Sequence, residues 1–179
     1  RIRMKYYITG INGFIGFTLA KKLKELGHEV TGIDNLNHYY DVSLKIARNR
    51  LLMKAGINSY YGNILSNSDL DHTFSKEKPD VVIHLAAYAG IRNSIENPNL
   101  YINNNVYGTQ NLINTCERYG VEKVLYASTS SVMADNKIWP WNETERLGDM
   151  LSPYAYTKQS NEHQFKISKI KNTMGLRFF

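Results

Sequence analysis

The chain has 179 residues and 42% hydrophobic content, which predicts one domain over residues 1–179. Its single cysteine fits a protein of the reducing cytoplasm. Its formal net charge of +6 comes from Lys and Arg scattered along helix-like stretches, without the dense basic block typical of nucleic-acid binding. No stretch reaches the uninterrupted apolar length of a membrane span, so we expect none.

A glycine turn follows the first predicted strand, residues 5–9, and leads into a predicted helix at 14–26. Glycines also collect in ordinary turns, but a strand before and a helix after favour a phosphate-binding turn. Gly10 allows the tight turn, Gly13 lets the backbone approach a phosphate, and Gly16 lets helix and strand pack closely. Free N–H groups at the start of the helix then face the anion, which predicts a site for a dinucleotide pyrophosphate.

Asp34 closes the second predicted strand, 29–33, and lies 18 residues after Gly16. An acidic residue at this distance from the glycine turn is where the adenosine ribose is bound. Its carboxylate accepts hydrogen bonds from ribose hydroxyls and repels a 2′-phosphate, which predicts NAD over NADP. The alternative interpretation is that Asp34 only opens the polar loop 34–37.

Strand-like and helix-like segments continue to alternate to the end of the chain. Several of the strands are continuously apolar, as expected for a parallel sheet with helices on both faces. The pattern predicts the α/β class with a doubly wound parallel sheet, which binds ligands at the carboxyl ends of its strands. The further predicted strands are 59–62, 80–85, 123–128 and 173–177, and the further helices are 43–55, 66–76, 98–118 and 153–168.

Residues that can carry chemistry follow the fifth strand and open the last helix. The Ser/Thr cluster 128–131 lies where a hydroxyl can hydrogen-bond a substrate oxygen, although such clusters are also ordinary turn signals. Ser152 and Pro153 predict a helix start, and Tyr154 and Lys158, four residues apart, share one helix face. A neighbouring ammonium and a positive nicotinamide ring would lower the tyrosine pKa from about 10. The alternative is a surface Tyr/Lys pair.

Together these motifs resemble the cofactor half of an extended short-chain dehydrogenase/reductase, in the NAD-dependent nucleotide-sugar epimerase/dehydratase family. Within that family, segments 32–41 and 87–92 are most similar to UDP-glucuronate 4-epimerases. The residues that carry the resemblance are Thr9-Gly10-x-x-Gly13-Phe14-Ile15-Gly16, Asp34-Asn35-Leu36, His84-Leu85-Ala86-Ala87, Asn105, Ala127-Ser128-Thr129-Ser130 and Tyr154-x-x-x-Lys158.

The resemblance implies a Rossmann fold and an enzyme that transiently oxidises C4 of a UDP-sugar with bound NAD, then returns the hydride to the other face. It implies Tyr154 as the catalytic acid/base, Lys158 as its electrostatic partner and a ribose ligand, and Thr129 as the catalytic hydroxyl. It also implies a homodimer through a four-helix contact of the helices that start at Pro98 and Pro153. The implied cofactor-binding residues are Gly10, Gly13, Phe14, Ile15, Gly16, Asp34, Asn35, Asn63, Ile64, Leu85, Ala86, Ala87, Ala89, Asn105, Ser128, Tyr154, Lys158 and Phe179.

The sequence departs from the family pattern at three places. Asn63 stands where the family has an aspartate that contacts adenine, and Met133-Ala134 replaces the usual Tyr-Gly. Family members also continue into a smaller C-terminal substrate domain that is largely absent from this chain. We therefore expect these residues alone to turn over substrate weakly or not at all.

Two other functions remain as alternatives. A nucleotide-sugar 4,6-dehydratase would carry Asp-Glu directly after Thr129, where this chain has Ser130-Ser131. A non-catalytic NAD-binding protein would not need Tyr154 and Lys158. No metal site is apparent, because His84 has no second ligand nearby and is predicted to be a satisfied core histidine. Cys116, in a helical pattern, is predicted to be a buried structural thiol.

Overall fold

Strands and helices alternate in this computed structural model, which describes residues 2–179. The strands are β1 Lys5–Thr9, β2 Glu29–Asp34, β3 Asn58–Tyr61, β4 Val81–His84, β5 Lys123–Thr129 and β6 Asn172–Phe178. The helices are α1 Phe14–Glu25, α2 Val42–Lys54, α3 Asn67–Glu77, α4 Ile91–Glu96, α5 Pro98–Tyr101, α6 Gly108–Arg118 and α7 Pro153–Ile167. A π-helical segment, Ile102–Tyr107, joins α5 to α6, and a 3-10 turn, Ser130–Met133, follows β5.

All strand pairs in the described sheet are parallel, and the strand order is β3-β2-β1-β4-β5-β6. This order confirms the predicted doubly wound sheet. The chain reverses direction across the sheet between β1 and β4, so the loops after these two strands diverge and leave a crevice. Ligands of such sheets bind in that crevice.

Helices cover both faces of the central strands. Tyr7 and Ile8 are neighbours in β1, and because side chains alternate along a strand they enter different cores. Tyr7 packs with Phe74 of α3 in the core that α6 and α7 complete, whereas Ile8 packs in the core shared with Ala20 of α1 and Leu52 of α2. Burial on both faces explains the continuous apolar run of β4.

The outer strand β6 has a different environment. Met174, Leu176 and Phe178 alternate along it and therefore share one face, and they are 40–60% exposed. The opposite face packs toward α7, where a side chain at Gly175 would meet the ring of Tyr126 at 2.7 Å. Across residues 2–179, no helix is both long enough and apolar enough to cross a membrane.

The prediction of one helix at 98–118 is wrong in detail, because the π-helical segment interrupts it. A π turn adds a residue to the helical repeat and so changes which side chains face the sheet. The prediction also missed α4. That helix has six residues between Gly90 and Pro98, too few to show a helical period.

Candidate functional site

The glycine turn after β1 is shaped by backbone contacts. Gly10 has φ +72°, its N–H donates to the Ile33 carbonyl at 2.8 Å, and a Cβ there would lie 3.0 Å from Ala86 N. A Cβ at Gly16 would lie 2.3 Å from the Gly10 carbonyl oxygen. The structure thus gives Gly10 the turn role and Gly16 the packing role predicted from the sequence.

Helix α1 begins after this turn with its first backbone N–H groups open. The N-termini of α2, α3 and α7 each receive a side-chain cap. Among the described residues none caps α1, whose N-cap is Gly13, and its first turn holds no acidic residue. Uncapped N–H groups and the positive end of the helix dipole suit an anion such as a pyrophosphate.

A cleft opens in front of this turn, at the carboxyl ends of β1, β2 and β4. Its position is the crevice expected from the strand order. Half of the predicted cofactor residues line it, namely Gly10, Gly13, Asp34, Asn35, Asn63, Ile64, Leu85, Ala86 and Ala87.

Asp34 lines the cleft and also connects two of the segments that form it. Its Oδ2 accepts from the Asn12 N–H at 3.0 Å and its Oδ1 from the Leu36 N–H at 2.9 Å. The carboxylate therefore ties the glycine turn to the loop after β2. Each carboxylate oxygen has two lone pairs, so both can still accept from a ribose hydroxyl.

Sequence reasoning missed several residues of the cleft. Lys45 of α2 lines it, donates from Nζ to Asn37 Oδ1 at 2.6 Å, and lies near Asp34. Burial lowers the Lys45 pKa, while the Asp34 charge raises it. A helical sequence pattern does not indicate that a lysine faces the cleft. For residues of segment 32–41, by contrast, the similarity to UDP-glucuronate 4-epimerases was a usable signal. The other missed lining residues are Ile33, Asn37, Tyr39, Tyr40, Gly62 and Asn104.

The structure places Asn105 behind the cleft lining. Its Oδ1 accepts from the Tyr88 N–H at 2.8 Å, and its Nδ2 donates to the Tyr88 carbonyl at 2.9 Å and to Thr157 Oγ1 at 3.1 Å. Asn105 thus braces the loop after β4, and the neighbouring Asn104 lines the cleft instead. Both residues belong to the π-helical segment.

Other predicted cofactor residues also lie outside the cleft lining. Phe179 is exposed, and its ring centroid lies 6.0 Å from that of Trp141. The Ala89 carbonyl accepts from the Tyr101 hydroxyl at 2.6 Å. Phe14 and Ile15 are exposed at the start of α1.

Asn63 lines the cleft, and its Oδ1 accepts from the Leu65 N–H at 3.0 Å. The amide therefore caps its own turn, and it keeps one oxygen lone pair and two N–H donors for a ligand.

The three predicted catalytic residues come together where α7 packs on the end of β5. Ser152 caps the helix by accepting from the Ala155 N–H at 3.1 Å, as predicted. Tyr154 faces Thr129, whose side chain lies near enough to the phenol to lower its pKa. Lys158 is buried and donates from Nζ to the Ala127 carbonyl at 3.0 Å. Ser128 is buried beside them on β5.

The expected lowering of the Tyr154 pKa by Lys158 together with a bound nicotinamide ring stays a prediction. In the protein alone, burial raises the pKa of Tyr154, and the neighbouring Thr129 side chain only partly offsets this. Burial also lowers the pKa of Lys158 to about 8, and its ammonium is directed at the Ala127 carbonyl. Desolvation outweighs the charge effect that helix spacing suggested.

His84 is a satisfied core histidine, as predicted. Its Nδ1 pairs with Thr9 Oγ1 at 2.7 Å and its Nε2 with Thr109 Oγ1 at 2.8 Å. Burial, with a smaller effect from Lys158, lowers its pKa to about 3. Cys116 is a buried thiol whose pKa burial raises. Within residues 2–179, no group of three or more His, Cys, Asp or Glu is placed to hold a metal.

Comparison with known proteins agrees with this geometry. The family model described as the NAD dependent epimerase/dehydratase family matches residues 6–178. Protein CapI of Staphylococcus aureus is 42% identical over 98% of this chain and 54% of its own length. UDP-glucuronate 4-epimerase of Thermodesulfobacterium geofontis is 41% identical over 88% of this chain and 49% of its own length.

A solved structure gives the same result for the fold. UDP-glucuronic acid 4-epimerase from Bacillus cereus, in complex with UDP-glucuronic acid and NAD, superposes with a TM-score of 0.87. It is 33% identical and matches over 98% of this chain and 56% of that one. The chain spans about half the length of the curated relatives it matches.

Proposed function

The chain belongs to the NAD-dependent epimerase/dehydratase family, and from that premise we propose that it is the NAD-binding part of a nucleotide-sugar 4-epimerase. UDP-glucuronate or UDP-glucose is the proposed substrate, because relatives and structural neighbours named for both activities match almost the whole chain. One observation carries the proposal. The uncapped glycine turn with its cleft and the Tyr154/Thr129 pair occupy the same carboxyl edge of one sheet.

The residues of the cleft fit a dinucleotide. The glycine turn and the open N-terminus of α1 would hold the pyrophosphate, and Asp34 would accept from the adenosine ribose. Lys158 and Tyr154 would lie on the nicotinamide side, beyond β4. Bound NAD supplies the hydride acceptor and a positive ring charge that favours the phenolate.

Tyr154 is the proposed acid/base. Its phenolate would take the proton from the sugar C4 hydroxyl as that carbon is oxidised, and would return a proton to the C4 oxygen when the opposite face is reduced. Thr129 would hydrogen-bond the same oxygen and keep it near the phenol. Lys158, mostly protonated at neutral pH with a pKa of about 8, would add positive charge at the end of β5.

The dehydratase alternative lacks its acid and base in this structure. Ser131 follows Thr129 in the 3-10 turn, where its N–H donates to Thr129 Oγ1 at 3.2 Å and its Oγ accepts from the same hydroxyl. These hydroxyls hold the turn. A serine hydroxyl also cannot replace a carboxylate as the base for elimination.

A second copy of the protein is the proposed partner, through a four-helix contact. The helical surface from α5 through the π-helical segment exposes Leu100, Ile102 and Tyr107, and α7 exposes Tyr156 on its outer side. Apolar side chains at these positions fit a helix–helix interface. Sedimentation of the protein and of a Tyr107→Glu variant tests this, and equal monomeric behaviour of both would contradict it.

The experiment for the proposed function uses a protein extended to the length of its relatives. It is incubated with NAD and either UDP-glucuronate or UDP-glucose, and C4 inversion is followed by NMR of the sugar. Inversion of one sugar supports the proposal. Inversion of neither, in a protein shown to bind NAD, would leave only family membership. The chain of residues 1–179 alone is expected to bind NAD and to invert weakly or not at all.

A further inference from the structure

A half-buried ion pair joins the helix of Tyr154 to the last two strands. Arg177 of β6 donates from Nε to Glu162 Oε1 and from Nη2 to Glu162 Oε2, both at 2.9 Å. The Ser128 hydroxyl of β5 donates to the same Oε1 at 2.6 Å. The Arg177 and Glu162 side chains are only 20% and 17% exposed. Bidentate, charge-assisted contacts of this kind are strong and fix orientation.

The contact extends a pattern already present on α7. Tyr154, Lys158 and Glu162 follow one another at four-residue intervals and so lie on one helix face. They meet three consecutive residues of β5, because Tyr154 faces Thr129, Lys158 binds the carbonyl of residue 127, and Glu162 binds residue 128. Residue 177 pairs with residue 128 in the β5–β6 ladder, so the guanidinium reaches Glu162 from the adjacent strand.

We propose that Glu162 and Arg177 are a positioning pair, which fixes Ser128 and, through it, the adjoining Thr129 opposite Tyr154. This inference rests on the proposed epimerase function for its kinetic consequence. Neither side chain belongs to the predicted set of catalytic or cofactor-binding residues. Both act through the residues at the end of β5.

The pair is suited to this role because it remains ionised without adding net charge to the site. Burial raises the Glu162 pKa, but hydrogen bonds from Arg177 and Ser128 outweigh it and the pKa is lowered. The carboxylate is thus a lasting acceptor for the Ser128 hydroxyl. Removing its charge would leave the guanidinium without its carboxylate partner in a partly buried setting, which forces a local rearrangement next to Thr129.

The test uses Glu162→Gln in the NAD-loaded protein of full relative length. We expect kcat for C4 inversion to fall about 10- to 100-fold, since small misplacements of reacting groups have effects of this size. The KM for the sugar should change by less than about twofold, because neither Glu162 nor Arg177 belongs to the predicted catalytic or cofactor-binding residues. Arg177→Lys keeps the charge but loses the bidentate geometry, and it should give a smaller loss of kcat.

The matched control is Glu122→Gln. Glu122, just before β5, also forms an ion pair with Lys171, just before β6, at the opposite, exposed end of these strands. This variant should leave kcat and KM at the values of the parent protein. Thermal melting of each variant identifies any that is not folded. If Glu162→Gln is not folded, Arg177→Lys is compared with Glu122→Gln instead.

A second readout does not depend on epimerase activity. Ionisation of Tyr154 is measured as the tyrosinate absorbance that disappears in a Tyr154→Phe background. Because the Thr129 side chain beside the phenol lowers the Tyr154 pKa, displacement of Thr129 in Glu162→Gln should raise it, whereas Glu122→Gln should not. The other groups near the phenol, Tyr39 and Tyr101, belong to other elements and are unchanged.

The outcomes separate the two proposals. If the parent protein inverts neither sugar but Glu162→Gln raises the Tyr154 pKa, positioning stands and the proposed function fails. If the parent inverts a sugar and Glu162→Gln matches Glu122→Gln in both kcat and Tyr154 ionisation, the positioning inference is overturned. A loss of folded protein or a parallel loss of NAD affinity, with Tyr154 ionisation unchanged, would also overturn it by showing a purely structural role.

Discussion

The centre of the sheet and its β5–β6 side are built in opposite ways. In β1 and β4 both faces are covered by helices, and Tyr7 and Ile8 are fully buried on opposite sides. In β6 one face is covered by α7, while Met174 and Leu176 on the other face are exposed. The centre carries the cleft and the glycine turn, and the β5–β6 side carries Tyr154, Thr129 and Lys158.

The two regions are held by different forces. The cleft is shaped mainly by backbone contacts and by a core closed on both sides. The proposed catalytic corner is held by directed polar contacts such as those of Lys158 and Glu162. Substitutions should therefore separate binding, stability and catalysis according to the region they affect.

The largest expected effect is on catalysis alone. Tyr154→Phe removes the acid/base hydroxyl from the β5–β6 side and leaves the cleft intact, so C4 inversion should fall by about 10²- to 10⁴-fold. NAD affinity, measured by calorimetry, should stay close to that of the parent. Tyr156→Phe is the control, because Tyr156 lies two residues further on the same helix and is 51% exposed. Equal activity of both variants would contradict the assignment and favour a non-catalytic NAD-binding protein.

The next effect compares the stability of the two regions directly. Ile8→Ala opens a cavity in the closed core and should lower the free energy of unfolding by about 2–5 kcal/mol. Leu176→Ala, on the open face of β6, should lower it by less than about 1 kcal/mol. Urea denaturation of both variants measures the difference. Similar losses would mean that the open face is covered in solution.

Asp34→Asn tests the cleft itself. The amide keeps one acceptor for two backbone N–H groups and a ribose, and it no longer repels a 2′-phosphate. We expect the affinity for NAD to fall about 10- to 100-fold, corresponding to lost hydrogen bonds of a charged group, and the preference over NADP to shrink. The control is Asp41→Asn, whose carboxylate caps α2 outside the cleft lining. An unchanged preference would assign Asp34 to the loop alone.

The last effect, taken per pH unit, is a pH dependence of stability from the closed core. Burial lowers the His84 pKa to about 3 from its usual 6.5, so between these pH values the unfolded chain binds a proton at His84 that the folded chain does not bind. The contribution of neutral His84 to the free energy of unfolding is complete above pH 6.5 and should decline by about 1 kcal/mol per pH unit as the pH falls toward 3. Urea titrations between pH 7 and 5 should show a shallower slope for His84→Gln, whereas His38→Gln, at an exposed position, should keep the parent slope. An identical slope for His84→Gln would contradict this.

Local spacing in the sequence was enough for much of the fold and part of the site. The alternation of strands and helices, the glycine turn, the Ser152 cap and the shared face of Tyr154 and Lys158 all depend on residues within a few turns of one another. Such features follow from backbone geometry and side-chain period, so a sequence displays them directly. The family resemblance was likewise carried by short motifs.

Tertiary packing decided what the spacing left open. Lys45 reaches the cleft from a helix, Asn104 and not Asn105 lines it, and in the protein alone burial raises the Tyr154 pKa. Glu162 and Arg177 meet only because α7 packs on β5 and β6. Partners on separate elements and the degree of desolvation are properties of the folded whole, since they depend on which surfaces meet and how much water they exclude.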